Sequence, residues 1–323
     1  MNILFHTNQI DVRGTCNALF YYAKYNQLIL NNKSYIITLN QNQHKSDQIA
    51  LKYFQKNFDI LYYNDLESLE SYIDNLGIDI VYYISYGKRS DTIMSSKVKN
   101  VIHCVFDMSE PFGDVYAGVS KALAAKFNKT LYVPHIIGLY PSNESNNLRD
   151  LYKIPTDAIV FGRHGGTDTF NIPFCMDTIV NIVIKFDKIF FLLVNTHPFY
   201  SHKQIIHIDK IIEDDDKRRF INTCDAHIEC GTLGHSFGIS IGEFSVFNKP
   251  SICFDDGTLW NRSHIDILKD KGLYYKDSAS FYNILTTFDK NVYALKDNNA
   301  YREYNPTDVM QTFKEVFIDD ISS

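Results

Sequence analysis

The chain has 323 residues, 45% hydrophobic and 22% charged, which excludes a disordered chain and suits two domains, each large enough to bury a core. Its net charge of −6, balanced up to residue 150 and acidic beyond, excludes the basic domain of a nucleic-acid binder. The same balance argues against tight docking on anionic lipid and leaves only peripheral membrane contact open.

The chain opens on a predicted strand at 2–6, so a secretory leader is not expected. Further strands are predicted at 34–39, 59–63, 79–84, 100–106 and 130–134. Helical patterns fall between them at 14–30, 47–56, 66–76 and 119–127. A polar stretch, 138–147, carries a proline and reads as an interdomain linker. Alternation resumes with strands at 158–161, 189–195, 205–209, 226–230, 250–254 and 273–275. Helices are predicted at 174–186, 214–222, 238–247, 262–271 and 278–288, and a last amphipathic helix after Pro306. Short strands separated by helices of ten or more residues specify right-handed βαβ units and parallel sheets. The economical architecture is α/β, with two Rossmann-like halves facing each other across a cleft, where ligands bind beyond the carboxyl ends of the strands. The expected domains are 1–140 and 141–305, with 306–323 packing back across them.

The longest apolar runs, such as 189–194, are far too short to span a bilayer. The dispersed cysteines at 16, 104, 175, 224, 230 and 253 contain no Cys-x-x-Cys and read as reduced thiols of a cytoplasmic protein. The eleven histidines show no ligand spacing, so no metal is expected.

Four segments carry chemistry. The first loop ends in Arg13-Gly14; one glycine instead of three argues against a dinucleotide site, and leaves either a plain helix start or a phosphate- or acceptor-facing wall. His103 lies near the carboxyl end of a strand, before Asp107 and Glu110, and is either a core histidine or a site residue. Arg163 ends the first strand of the second half, ahead of Gly165-Gly166; an arginine fork beside two glycines suits diphosphate oxygens. Finally, Gly234-His235-Ser236-Phe237-Gly238 runs into a helix bearing Glu243. Such a loop aims backbone N–H groups and a positive helix end at one point, a seat for diphosphate. Glu243 falls off the apolar stripe of Phe237, Ile241 and Phe244, so it is expected to face solvent or the cleft.

His235-Ser236-Phe237-Gly238 through Glu243, followed by Asn248-Lys249-Pro250-Ser251-Ile252, resembles the Glu-x7-Glu element of retaining GT-B glycosyltransferases of the GT4-like group. Phe161-Gly162-Arg163 resembles that family's Val-Gly-Arg strand end, and Arg13-Gly14 its first loop. The resemblance implies a metal-independent enzyme without a cofactor. It would move a sugar from a nucleoside-diphosphate donor, UDP- or GDP-linked, to a glycan, lipid-linked or small hydroxylated acceptor with retention. It further implies an acceptor-side N-terminal domain and a nucleotide-sugar-binding C-terminal domain. By position, Glu243 would bind the ribose, His235 the transferred sugar and Arg163 the diphosphate, with His103 near the donor sugar. Two departures stand out: His235 replaces the first glutamate, and Asp168 replaces a lysine. They keep open a non-catalytic sugar-nucleotide binder, and the same scaffold also serves epimerases and phosphorylases.

Overall fold

A computed structural model describes residues 1–40, 45–89, 92–142 and 146–319; residues 143–145 of the expected linker lie outside them. The chain divides into two units, Met1–Ile136 with the chain from Glu303 onward, and Ile137–Arg302.

Unit 1 is built on six parallel strands: β1 (Asn2–His6), β2 (Lys33–Leu39), β3 (Ile60–Tyr63), β4 (Ile80–Ser85), β5 (Lys99–Cys104) and β6 (Val115–Gly118). Their order is β3-β2-β1-β4-β5-β6. The helices are α1 (Gly14–Leu28), α2 (Gln48–Gln55), α3 (Leu66–Leu76) and α4 (Lys121–Lys126). Helix α3 has the predicted limits because both ends are chemically marked. Asp65 and Ser68 form a capping box, and Gly77 closes the helix at φ 57°. The predicted strand at 130–134 forms only a bridge from Tyr132 to Gly118, and Pro134 has no N–H with which to extend the ladder. The edge is occupied by β6, which follows Gly113 at φ 76° and was not predicted, since its glycine- and proline-flanked four residues read as loop.

Unit 2 repeats this topology with β7 (Ile159–Arg163), β8 (Ile189–Val194), β9 (Ile205–Ile208), β10 (Ala226–Glu229), then β12 (Ser251–Phe254) and β14 (Gly272–Tyr275). Its order is β14-β12-β10-β7-β8-β9. In both sheets the first strand lies between the second and fourth, so the strand order reverses between β1 and β4, and between β7 and β10. That reversal is where open α/β sheets leave a ligand crevice. Two short strands, β11 (Gly234–His235) and β13 (Asn261–Arg262), pair separately. The remaining helices are α5 (Pro173–Lys185), α6 (Asp214–Thr223), α7 (Ile239–Val246), α8 (Ser263–Leu268), α9 (Ser278–Thr287), α10 (Lys290–Ala294) and α11 (Pro306–Phe313).

Successive strand residues of unit 2 enter different cores, as a pleated strand requires. Phe161, Phe191 and Leu193 join one, packed with residues of α5 and α9; Val160, Phe190 and Leu192 join the other, with residues of α6 and α7. Helices α6 and α7 therefore share one face of the sheet. Helix α11 belongs to unit 1, where Phe313 stacks on Tyr22 at 5.4 Å and on Phe5 at 6.4 Å. No helix among the described residues is long and apolar enough to cross a membrane, and all six cysteines are buried and free.

Buried histidines are expected to make the protein acid-labile. Burial lowers the pKa of His6 and His103 to about 4 and of His227 and His264 to about 3. The folded state keeps these rings neutral while the unfolded chain binds protons below about pH 6.5. Protons therefore favour unfolding from pH 6.5 down to about 3, by ~2 kcal/mol per ring at pH 5. Melting temperature is expected to hold steady between pH 7 and 8 and to fall steeply below pH 6; a flat profile to pH 5 would contradict this burial.

Candidate functional site

The polar residues of unit 2 converge at the carboxyl ends of β7, β8 and β10, around the reversal of strand order. Arg163, the last residue of β7, is completely buried. Its Nη1 donates to the carbonyls of Val194 and Asn195 and to Thr196 Oγ1 at 3.2, 3.0 and 2.8 Å. Its Nη2 donates to the Gly166 carbonyl and Thr169 Oγ1, both at 2.6 Å. Both terminal nitrogens are thus occupied by protein acceptors. The fork expected on diphosphate oxygens instead ties the loop after β7 to the loop after β8, because those loops and the end of β8 bring five acceptors to it. Gly165 lies against this guanidinium; a Cβ there would sit 3.1 Å from Nη2.

His164 follows and turns to Glu243. Its Nε2 lies 3.0 Å from Glu243 Oε2, while Lys217 Nζ from α6 donates to Oε1 at 3.2 Å. Glu243 is 1% exposed. The expectation that it faces solvent is corrected here. Helix α7 also buries Gly242 and Ser245 and leaves Ile239, Ser240 and Val246 half-buried, and the carboxylate is stabilised by charge partners rather than water. Burial alone would raise its pKa; the Lys217 ammonium and His164 outweigh that and bring it down to about 2. Lys217 was not anticipated, because Asp214-Asp215-Asp216-Lys217-Arg218-Arg219 reads as a solvated charge run. The available signal was its spacing, three and four residues before the buried Phe220 and Ile221.

The loop from β10 to α7 holds the third cluster. Glu229 ends β10 almost fully buried, and its Oε2 lies 3.2 Å from His235 Nε2. This carboxylate also escaped the sequence reading, hidden inside the predicted strand at 226–230. Burial would raise its pKa, but His235 and Arg163 hold it at about 2. Gly231 makes room for the turn, since a Cβ would meet the Thr169 carbonyl at 2.8 Å and Glu229 Oε1 at 2.9 Å. At Gly234, φ is 65° and a Cβ would lie 2.0 Å from the Asn261 carbonyl oxygen, so the β11–β13 pair demands glycine. His235 stands half-buried on that pair, edge-on to His264 at 5.1 Å. Ser236 and Phe237 are buried, and the Phe237 carbonyl accepts from Tyr301 Oη at 2.8 Å. Gly238 caps α7 at φ 90°, and the helix starts with neither a capping side chain nor an acid in its first turn.

The other expected residues belong to unit 1 or to its surface. Arg13 precedes α1 with its side chain 72% exposed and 3.7 Å from Asp11; Gly14 is the first residue of that helix. His103 is a core histidine, which corrects its expected role near a sugar. Its Nδ1 lies 2.6 Å from Tyr82 Oη, and its Nε2 donates to the Val133 carbonyl at 2.8 Å, so both nitrogens are used. Asp168, in unit 2, is exposed beside His197.

No protein family and no curated protein matches the chain by sequence. Solved structures do. The chain is similar to Anabaena Alr3699/HepE in complex with UDP and glucose, with TM-score 0.72 and 14% identity over 97% of this chain and 98% of that one. It is similar to a glycosyltransferase from Rickettsia africae ESF-5, with TM-score 0.66 and 12% identity over 98% and 94%. It is also similar to WaaG, a glycosyltransferase involved in lipopolysaccharide biosynthesis, with TM-score 0.61 and 8% identity over 98% and 100%. Likeness at these identities establishes the fold: the α/β, two-unit Rossmann-like architecture of the GT-B class.

Proposed function

We propose that the protein is a glycosyltransferase that moves a sugar from a nucleoside-diphosphate donor onto a glycan, lipid-linked or small hydroxylated acceptor, retaining the anomeric configuration and using no metal. One observation carries the reading. The buried Glu243 carboxylate, paired with Lys217 and His164, lies on a helix whose amino end is uncapped, beside the paired glycines after β7. The solved HepE structure with UDP-glucose has this fold and supports a uridine donor. The donor is assigned to unit 2 and the acceptor to unit 1.

In this reading the amide groups at the start of α7 and the Gly165-Gly166 backbone take the diphosphate. Glu243 accepts from the ribose hydroxyls and His235 contacts the transferred sugar. Arg163 acts as a positioning residue that sets the glycine loop. Arg13 and Gly14 stand on the acceptor side. Catalysis then consists of orientation and stabilisation of the departing diphosphate, not of a strong base.

A thermal-shift panel of nucleoside diphosphates and nucleotide sugars tests the donor. A ligand at about a hundred times its dissociation constant adds about 2.7 kcal/mol, so a UDP or GDP series should stand out. Product NMR should then report retention, and turnover should survive chelator. Indifference of the melting temperature to every nucleotide would overturn the proposal.

A further inference from the structure

The geometry points to Glu229 as a positioning residue that turns His235 into a substitute for a carboxylate, with Nε2 given to Glu229 and Nδ1 presented to a hydroxyl of the transferred sugar. This inference rests on the glycosyltransferase reading above and deepens it at one contact.

Three observations support it. A carboxylate only accepts hydrogen bonds, so the imidazole nitrogen 3.2 Å from Glu229 Oε2 is the one that carries hydrogen. In the neutral ring the lone pair is then on Nδ1. Second, the ring is held from its backbone as well. β11 pairs with β13, and Arg262 of β13 is anchored on Asp255, its Nη2 donating to Oδ2 at 2.8 Å. Third, the carboxylate is buried on a backbone held in place. Glu229 is 3% exposed, its backbone carbonyl accepts from Tyr275 Oη at 2.8 Å, and Gly231 removes the side chain that would displace it.

A lone neutral imidazole is a poor replacement for glutamate, because either nitrogen can carry the proton. Tying one nitrogen to a buried carboxylate selects the tautomer and makes the other a dedicated acceptor. The acceptor lost from the loop at position 235 is thus restored by a carboxylate from the strand before it.

The pair predicts a reciprocal pattern. With UDP and UDP-glucose as probes in calorimetry, Glu229→Gln should weaken UDP-glucose about tenfold, one hydrogen bond's worth, and leave UDP unchanged. Retained UDP affinity shows that the variant is folded. His235→Glu alone should also lose sugar affinity, since it sets two carboxylates side by side. His235→Glu/Glu229→Gln should regain it to within about threefold of the parent. Nitrogen-15 NMR of the ligand-free protein gives an independent reading, with hydrogen on His235 Nε2 at neutral pH. Hydrogen on Nδ1, or His235→Glu binding as well as the double variant, would overturn the inference. A parent protein that binds neither probe, yet shows the Nε2–H tautomer, would count against the donor reading and leave the pair standing.

Discussion

Arg163→Ala is expected to lower stability by about 3–5 kcal/mol, since several buried acceptors lose a donor at about 1–3 kcal/mol each, or roughly 6–20 °C in melting temperature for a unit of this size. The side chain donates to five acceptors on two loops and the end of β8, and each buried acceptor left without a partner carries a desolvation penalty. Loss of the guanidinium should also release the Gly165-Gly166 loop, so turnover should fall about tenfold to a thousandfold. Arg163→Lys should recover little, because one ammonium cannot span acceptors arranged for a planar fork. Thermal melts and UDP titration separate this role from a direct diphosphate contact. A variant with the parental melting temperature and weakened UDP binding would contradict the positioning role.

Glu243→Ala is expected to be almost as severe, by two routes that can be separated. The substitution takes from the buried Lys217 the carboxylate 3.2 Å from its Nζ, at a stability cost of about 3–5 kcal/mol, and removes the proposed ribose acceptor. Combining Glu243→Gln with Lys217→Met removes both charges and should restore most of the stability while turnover stays ten- to a thousandfold down. If turnover returned along with stability, the carboxylate would serve only to neutralise Lys217. The same pairing has a pH signature. Because the folded-state pKa is depressed to about 2, this stabilisation is complete above the unfolded value near 4.5 and is lost as pH falls from there towards 2. It therefore adds to the acid lability set by the buried histidines.

The expected βαβ alternation was legible because strand and helix periodicities are local. The capping box of Asp65 and Ser68, the glycine after α3 and the apolar run of β8 each declare themselves within a few residues. Elements below that resolution were not legible: β6, β11 and β13 are two to four residues long and exist only because a neighbouring strand accepts them. The candidate site divides the same way. Glu243, His235 and the glycines were marked by a contiguous pattern. Lys217 and Glu229 were not, since one sits in a charge run and the other inside a predicted strand, and each becomes interesting only through a partner 26 or six positions away.

Sequence alone determined that the chain folds as two Rossmann-like α/β halves and which loop leads into the glutamate-bearing helix, because hydrophobic period and turn chemistry act over short distances. Only the tertiary structure decided what the charged groups do there. Burial turns Arg163 into a brace, His103 into a core ring and Glu243 into half of an ion pair. The reason is that a charge removed from water must be satisfied by whichever groups the fold brings within about 3 Å, and those come from strands and helices far apart in the chain.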